Sequence, residues 1–225
     1  MKLPAQSPAP VADAGKAGVL KLEEKENQLV ISGRDFSITF DKKEGTISQI
    51  VRDKVNLLAA GGGPKMHLWR APHKNDDMWA YRSWQSCRLD KLECSTVFFT
   101  VSKPAPSIIR VESVIAAKAQ RNFNVIHSAI YTIYGDGTIA VDNSVVPSGR
   151  RIPLARMGVR MLLDAKLDQF TYLGRGPMEN YSDRKRGSDV GLYSSTVREQ
   201  MTPYAKPMEC GNHEDVRWAA VGGKG

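Results

Sequence analysis

The sequence predicts an all-β protein made of antiparallel sheets packed face to face. Three observations predict it. Apolar residues recur with period two along most of the chain, as they do in strands with one covered face. Short turns rich in Gly, Asp or Pro separate these runs at hairpin spacing. Helical periodicity is almost absent, and no motif recurs at a fixed interval, which removes propellers and solenoids. At 225 residues the chain is long enough for one sizeable β domain, or two small ones, with a workable core.

Residues 1–18 are rich in Pro, Ala and Gly and read as a linker or disordered lead-in, which leaves 19–225 as the folded domain. Phe36, Ile38 and Phe40 alternate with Ser37 and Thr39; Asp41-Lys42-Lys43-Glu44-Gly45 then turns the chain into residues 46–51. The run Ala59-Ala60-Gly61-Gly62-Gly63-Pro64 breaks the sheet. Residues 67–84 carry three of the four tryptophans without a clean period, and 76–86 suit one short helix. Strands return at 96–101 and 108–114. Residues 124–134 and 138–146 flank Gly135-Asp136-Gly137, a strong hairpin signal. Along 154–163, Ala155, Met157, Val159, Met161 and Leu163 share one face and Arg156, Gly158 and Arg160 the other. Residues 216–221 read as a last strand, and its position at the chain end predicts a fragment cut short at its C-terminal end.

Composition narrows the function classes. The balance of Lys+Arg 32 against Asp+Glu 24 gives +8, but the basic residues are scattered. The densest cluster, Arg184-Lys185-Arg186, is flanked by Asp183 and Asp189, so a nucleic-acid partner is not expected. Lys2 is followed by Pro4, Pro8 and Pro10 and not by an apolar signal region. No run approaches the ~18 apolar residues of a membrane span. The expectation is a soluble chain without a membrane partner, cytoplasmic or periplasmic, with self-association open. Cys87, Cys94 and Cys210 lack metal-pair spacing and read as ordinary thiols.

The most information-dense run is Tyr172-Leu173-Gly174-Arg175-Gly176-Pro177-Met178-Glu179-Asn180-Tyr181-Ser182-Asp183-Arg184. Gly174 and Gly176 permit φ > 0 or a close backbone approach, and Pro177 restricts both itself and Gly176. Such a loop is held in one shape, as a recognition surface, a domain joint or a hydrogen-bonded structural loop requires. His67, His73, His127 and His213 have no metal spacing, no Gly-x-Ser-x-Gly nucleophile occurs, and Gly174-x-Gly176 lacks the third glycine of a dinucleotide fingerprint. Carboxylates cluster late, at Glu179, Asp183, Glu209, Glu214 and Asp215. Glycoside cleavage needs two carboxyl groups, one poised as an acid, but with Arg184 and Arg217 nearby structural ion pairs are the favoured use.

Three ordered motifs add a resemblance. Leu68-Trp69-Arg70-Ala71-Pro72-His73-Lys74-Asn75-Asp76-Asp77 resembles the opening segment of the C-terminal domain of lac-type β-galactosidases, glycoside hydrolase family 2. Residues 173–184 are similar to that domain's Gly-x-Gly-Pro-x-Glu-Asn-Tyr-x-Asp-Arg motif. Thr202-Pro203-Tyr204, Pro207-Met208-Glu209-Cys210-Gly211-Asn212 and Asp215-Val216-Arg217-Trp218 follow in order. His73-Lys74 and Cys210 depart from the family's usual residues.

The resemblance implies an antiparallel β-supersandwich, galactose mutarotase-like, forming the last domain of a retaining β-galactosidase. It implies that the catalytic glutamates, and the family's metal ions, belong to an upstream barrel, so this chain has no catalytic residue and no cofactor and is inactive by itself. The partners implied are the upstream domains and, in the whole enzyme, the galactoside. The residues implied as sugar-facing or as a domain joint are Arg70, Asn75, Asp76, Glu179, Asn180, Tyr181, Asp183, Arg184 and Glu209. Trp218 precedes the segment that lends the family an aromatic residue and does not inherit that role. Two rival readings stand beside this one. One is a sugar-binding module using Trp69, Trp79, Trp84 and the Arg156/Arg160 face. The other is a mutarotase-like epimerase using His127 and Glu209.

Overall fold

The computed structural model describes residues 18–206 and 208–223. The expected lead-in over 1–17, Pro207 of the third motif and residues 224–225 lie outside them. The described chain is an all-β sandwich. Five strands form a meander in sequence order: β1 (Lys21–Glu24), β2 (Gln28–Ser32), β3 (Phe36–Asp41), β4 (Thr46–Arg52) and β5 (Val55–Asn56). The β3–β4 hairpin forms at the expected place because Asp41 Oδ1 accepts the Lys43 and Glu44 amides and closes the turn. Alternation then buries Phe36, Ile38 and Phe40 on one face.

After β6 (Lys65–His67) come a 3-10 turn (Lys74–Met78) and α1 (Tyr81–Cys87). The single helix expected over 76–86 is thus two pieces. Asp76 accepts the His73 amide and closes its own short turn, and Trp79 and Ala80 leave helical geometry before α1 starts. The long strands β7 (Glu93–Ala105), β8 (Ile108–Lys118), β9 (Phe123–Tyr134) and β10 (Ile139–Gly149) form a sheet in the order β10-β9-β8-β7. The β9–β10 turn is the expected Gly135-Asp136-Gly137, with Gly137 at φ +89° and Asp136 Oδ1 accepting the Thr138 amide.

One face of β8 and β9 carries both apolar cores. Ile109, Val111, Ala129, Tyr131 and Ile133 pack against the five-stranded sheet. Ala117, Phe123 and Val125 pack against Trp84, Cys87 and Leu89 of the helical segment. Ser113 and His127 are buried polar residues on this same alternating face, between the two cores.

The strand expected over 154–163 shrinks to β11 (Gly158–Arg160), paired with β6 alone. Of the apolar face, Ala155 and Leu163 pack against the two cores, whereas Met157, Val159 and Met161 are each close to half exposed. The last sheet orders β13-β12-β14, from β12 (Gln169–Gly176), β13 (Asp189–Thr196) and β14 (Trp218–Gly222), and β12 is its central strand.

Candidate functional site

The loop after β12 is held by the chemistry of its own motif. Neither Gly174 nor Gly176 adopts φ > 0, so of the two uses open to them the close approach is the real one. A Cβ on Gly176 would collide with Tyr172 Oη and sit 2.7 Å from the Tyr193 ring. Tyr172 is buried, with its hydroxyl 3.1 Å from His213 Nδ1. The Gly176–Pro177 peptide is cis.

Glu179 follows as a nearly buried hub. Its carboxylate accepts the Arg184 Nη2 at 2.6 Å, the Gly211 amide at 2.7 Å and the Tyr204 hydroxyl. Burial pushes its pKa up, but the hydrogen bonds from Tyr204, Gly211, Arg184 and Thr202 outweigh that and hold it below the usual carboxylate range. The Arg184 guanidinium also lies 4.6 Å from the centre of the Tyr181 ring. Burial and the Glu179 charge raise the Tyr181 phenol.

Asn180 is fully buried and spends its whole amide on backbone. Nδ2 donates to the Arg175 and Met178 carbonyls at 3.0 Å each, and Oδ1 accepts the Glu214 amide at 2.8 Å. Its own N–H donates to Asn212 O, and Asn212 Nδ2 donates back to Asn180 O, both at 2.7 Å. Arg175 Nε donates to Asp215 Oδ2. Arg175, Glu179, Asn180 and Arg184 of one stretch and Tyr204, Gly211, Asn212, Glu214 and Asp215 of the other, separate in sequence, are therefore one hydrogen-bonded unit. Asp183 is exposed and stands outside it.

Arg70 and Asp76 form the second cluster. The guanidinium forks onto the carboxylate at 2.7 and 2.8 Å, and Asp76 is 2% exposed. Burial raises the Asp76 pKa, yet the Arg70 hydrogen bonds, the His73 amide and the Arg70 charge bring it below the usual range. The Arg70 head lies 5.2 Å from the Trp84 ring centre. Asn75, beside Asp76, is exposed.

Glu209 is held apart from these two clusters' own bonds. It accepts Arg156 Nη2, and its charge acts both on His67, just before the first motif, and on Tyr181 of the second. Of the nine implied residues, the structure ties Glu179, Asn180, Tyr181, Arg184 and Glu209 to one region, forks Arg70 to Asp76, and leaves Asn75 and Asp183 at the surface. Tyr204, Asn212, Arg175 and Asp215 complete the network and were not counted as site residues. All four lie inside the quoted motifs, and that membership was the available signal.

Open apolar surface adjoins this unit. A cleft of about 630 Å³ is lined by Met178, Glu179, Arg184, Met201 and Tyr204. Next to it an apolar groove of about 740 Å³ is lined by Met161, Leu162, Phe170, Val197, Met201 and Val221. Met178 and Met201 are 69% and 70% exposed.

The rival arrangements fare differently. Trp84 is fully buried and donates to Pro153 O at 2.7 Å, so it belongs to the core and leaves the imagined aromatic platform. Trp79 is exposed and stands edge-on to it, and Trp69 lines a separate cavity. His127 faces that same cavity, whereas Glu209 is not among its lining residues and is engaged by Arg156. Among the described residues no group of three or more His, Cys, Asp or Glu is arranged to hold a metal ion, and no helix is long and apolar enough to cross a membrane.

Comparison with known proteins adds the family. Residues 32–225 match the family described as beta galactosidase small chain. The chain is 33% identical over 220 residues to the beta-galactosidase of Priestia megaterium, covering 97% of this chain and 21% of that protein. It is 29% identical to the beta-galactosidase of Psychromonas ingrahamii, covering 92% of this chain and 21% of the relative. For that of Pseudoalteromonas haloplanktis the figures are 26%, 93% and 21%. The chain thus spans about a fifth of the length of these relatives.

Proposed function

The chain belongs to the β-galactosidase small-chain family, and from that premise we propose that residues 19–225 are the C-terminal sandwich domain of a larger β-galactosidase. The whole enzyme hydrolyses terminal β-D-galactosyl residues with retention, through a covalent glycosyl-enzyme. Both catalytic glutamates, and any metal ions, come from the upstream barrel. This chain supplies domain packing and part of the active-site wall.

The observation that carries this division of labour is that the candidate carboxylates are already engaged. A general acid needs a raised pKa and a free proton to give. Glu179 is held by Arg184, Tyr204 and the Gly211 amide and has a lowered pKa, Asp76 is forked by Arg70, and Glu209 is held by Arg156. These are the marks of groups that fix loops. The half-exposed apolar groove beside them supports a packing surface, since contiguous apolar area of this kind marks an interaction site.

The test compares this chain with the full-length enzyme on a nitrophenyl β-galactoside. The chain by itself is expected to release no nitrophenol, and the full enzyme to release β-galactose first, read by proton NMR before mutarotation. Turnover by the isolated chain that disappears in Glu179→Gln or Glu209→Gln would overturn the assignment.

A further inference from the structure

The two edges of the four-stranded sheet differ in kind. On β7 the ladder shifts register twice, at Thr96/Phe98 and Ser102/Ala105, and Lys103 and Pro104 lie within the second shift. Bulges, lysines and prolines blunt an edge against further pairing. β10 is smoother. Its eleven residues pair with β9 without a shift, and no other described strand adds to it. It contains no Lys, Arg or Glu, and Asp142 is its one charge.

The phase of the ladder fixes which groups of β10 stay open. The Tyr134 amide donates to Thr138 O at one end of the β9–β10 pair, and the Arg150 amide to Asn122 O at the other. Even-numbered residues of β10 therefore exchange bonds with β9, and the N–H and C=O of Ile139, Val141, Asn143 and Val145 face away from it. Pro147 falls in the same outward phase, where its missing N–H costs β9 nothing. Apolar side chains accompany these groups, Val141 being 41% and Val146 58% exposed.

The strand is also complementary to itself. Turned antiparallel about a two-fold axis at Asn143, two copies set Val141 against the other's Val145 on one face of the joined sheet, and Ala140 against its Val146 on the other. Asp142 meets the uncharged Ser144. Asp136, in the turn before β10, comes to the Arg150-Arg151 end of the other copy, and all three residues are exposed. Moving the axis one residue back sets Asp142 against itself, and parallel pairing brings like charges together at both ends.

We propose that β10 is a self-pairing edge, through which two copies of this chain join their four-stranded sheets into one continuous antiparallel sheet. This pairing follows from the strand's own pattern and does not rest on the galactosidase reading.

Sedimentation velocity of the chain from about 1 to 500 μM tests it. A single pair of strands buries less than the ~1,200 Å² at the low end of stable interfaces, so a reversible dimer with a Kd of about 100 μM is expected. Val141→Pro removes an outward N–H and no bond to β9, and should weaken the dimer at least ~10-fold while the strand signal in circular dichroism stays. Arg150→Asp should weaken it a few-fold. In a mixture of ¹⁵N-labelled and ¹³C-labelled chains, NMR contacts between Val141 of one copy and Val145 of the other are expected. A monomer up to about 500 μM overturns the proposal. So does a dimer whose intermolecular contacts lie elsewhere, as on the apolar groove around Phe170 and Met201, or one that a folded Val141→Pro chain forms at unchanged affinity.

Discussion

Replacing Glu179 with Gln should be among the most damaging isosteric changes in this chain. The carboxylate serves two sides: Oε1 accepts Arg184 and Tyr204, and Oε2 accepts the Gly211 amide. A glutamine keeps one oxygen, so one set of donors must face an NH₂ group. Leaving a buried donor unpaired costs about 1–3 kcal/mol. The Arg184 head is half exposed, so its screened charge adds under ~1 kcal/mol. The expected loss is about 1–4 kcal/mol, read from urea denaturation, with Tm falling by about 2–4 °C per kcal/mol for a chain of this size. Tyr204→Phe should cost less, and a double-mutant cycle should return a coupling of at least ~0.5 kcal/mol. The pH dependence carries a sign. The folded carboxyl titrates below its unfolded value, so its stabilisation is complete above the unfolded pKa of about 4.3 and is lost as pH falls through the folded pKa. The Glu179→Gln protein has no such group, so the gap between the two proteins should close as the medium is acidified. A neutral-pH loss under ~0.5 kcal/mol, the range of an ordinary surface change, would refute the reasoning.

Two further outcomes follow from the same geometry. Asp76→Asn leaves the Arg70 guanidinium without its forked partner in a site where the carboxylate is almost sealed, and should cost about 3 kcal/mol by denaturant unfolding. Its effect too should fade at acid pH, because the Asp76 pKa is lowered in the folded state. Gly176→Ala places a methyl group against Tyr172 and Tyr193, and should lower stability by about 1–3 kcal/mol, read as a fall in Tm; a neutral result would mean that the β12–β13 contact yields freely.

Some elements were legible in residue order because their causes are local. The 36–51 hairpin and the Gly135-Asp136-Gly137 turn depend on alternation and on an Asp accepting amides two or three residues ahead. The break between the 3-10 turn and α1 was not legible, since nothing in the order of residues 76–86 shows that Trp79 and Ala80 leave helical geometry. Residues 154–163 show the limit of periodicity. The pattern names two faces but not what covers either one: Ala155 and Leu163 pack against the cores, while Met157 and Val159 on the same face lie half open.

The site divides in the same way. The sequence by itself determined the glycine- and proline-bearing loop, the family that the three ordered motifs resemble, and Glu179 and Asn180 as two of the residues that resemblance implies. Only the tertiary structure decided their roles. Glu179 meets Tyr204 and Gly211, and Asn180 meets Asn212 and Glu214, across 25 to 34 residues of chain. It likewise placed His127 beside a cavity and took Glu209 to Arg156. A residue's type states which bonds it can make; whether a carboxylate is a free acid or a filled acceptor depends on the donors that folding brings to it.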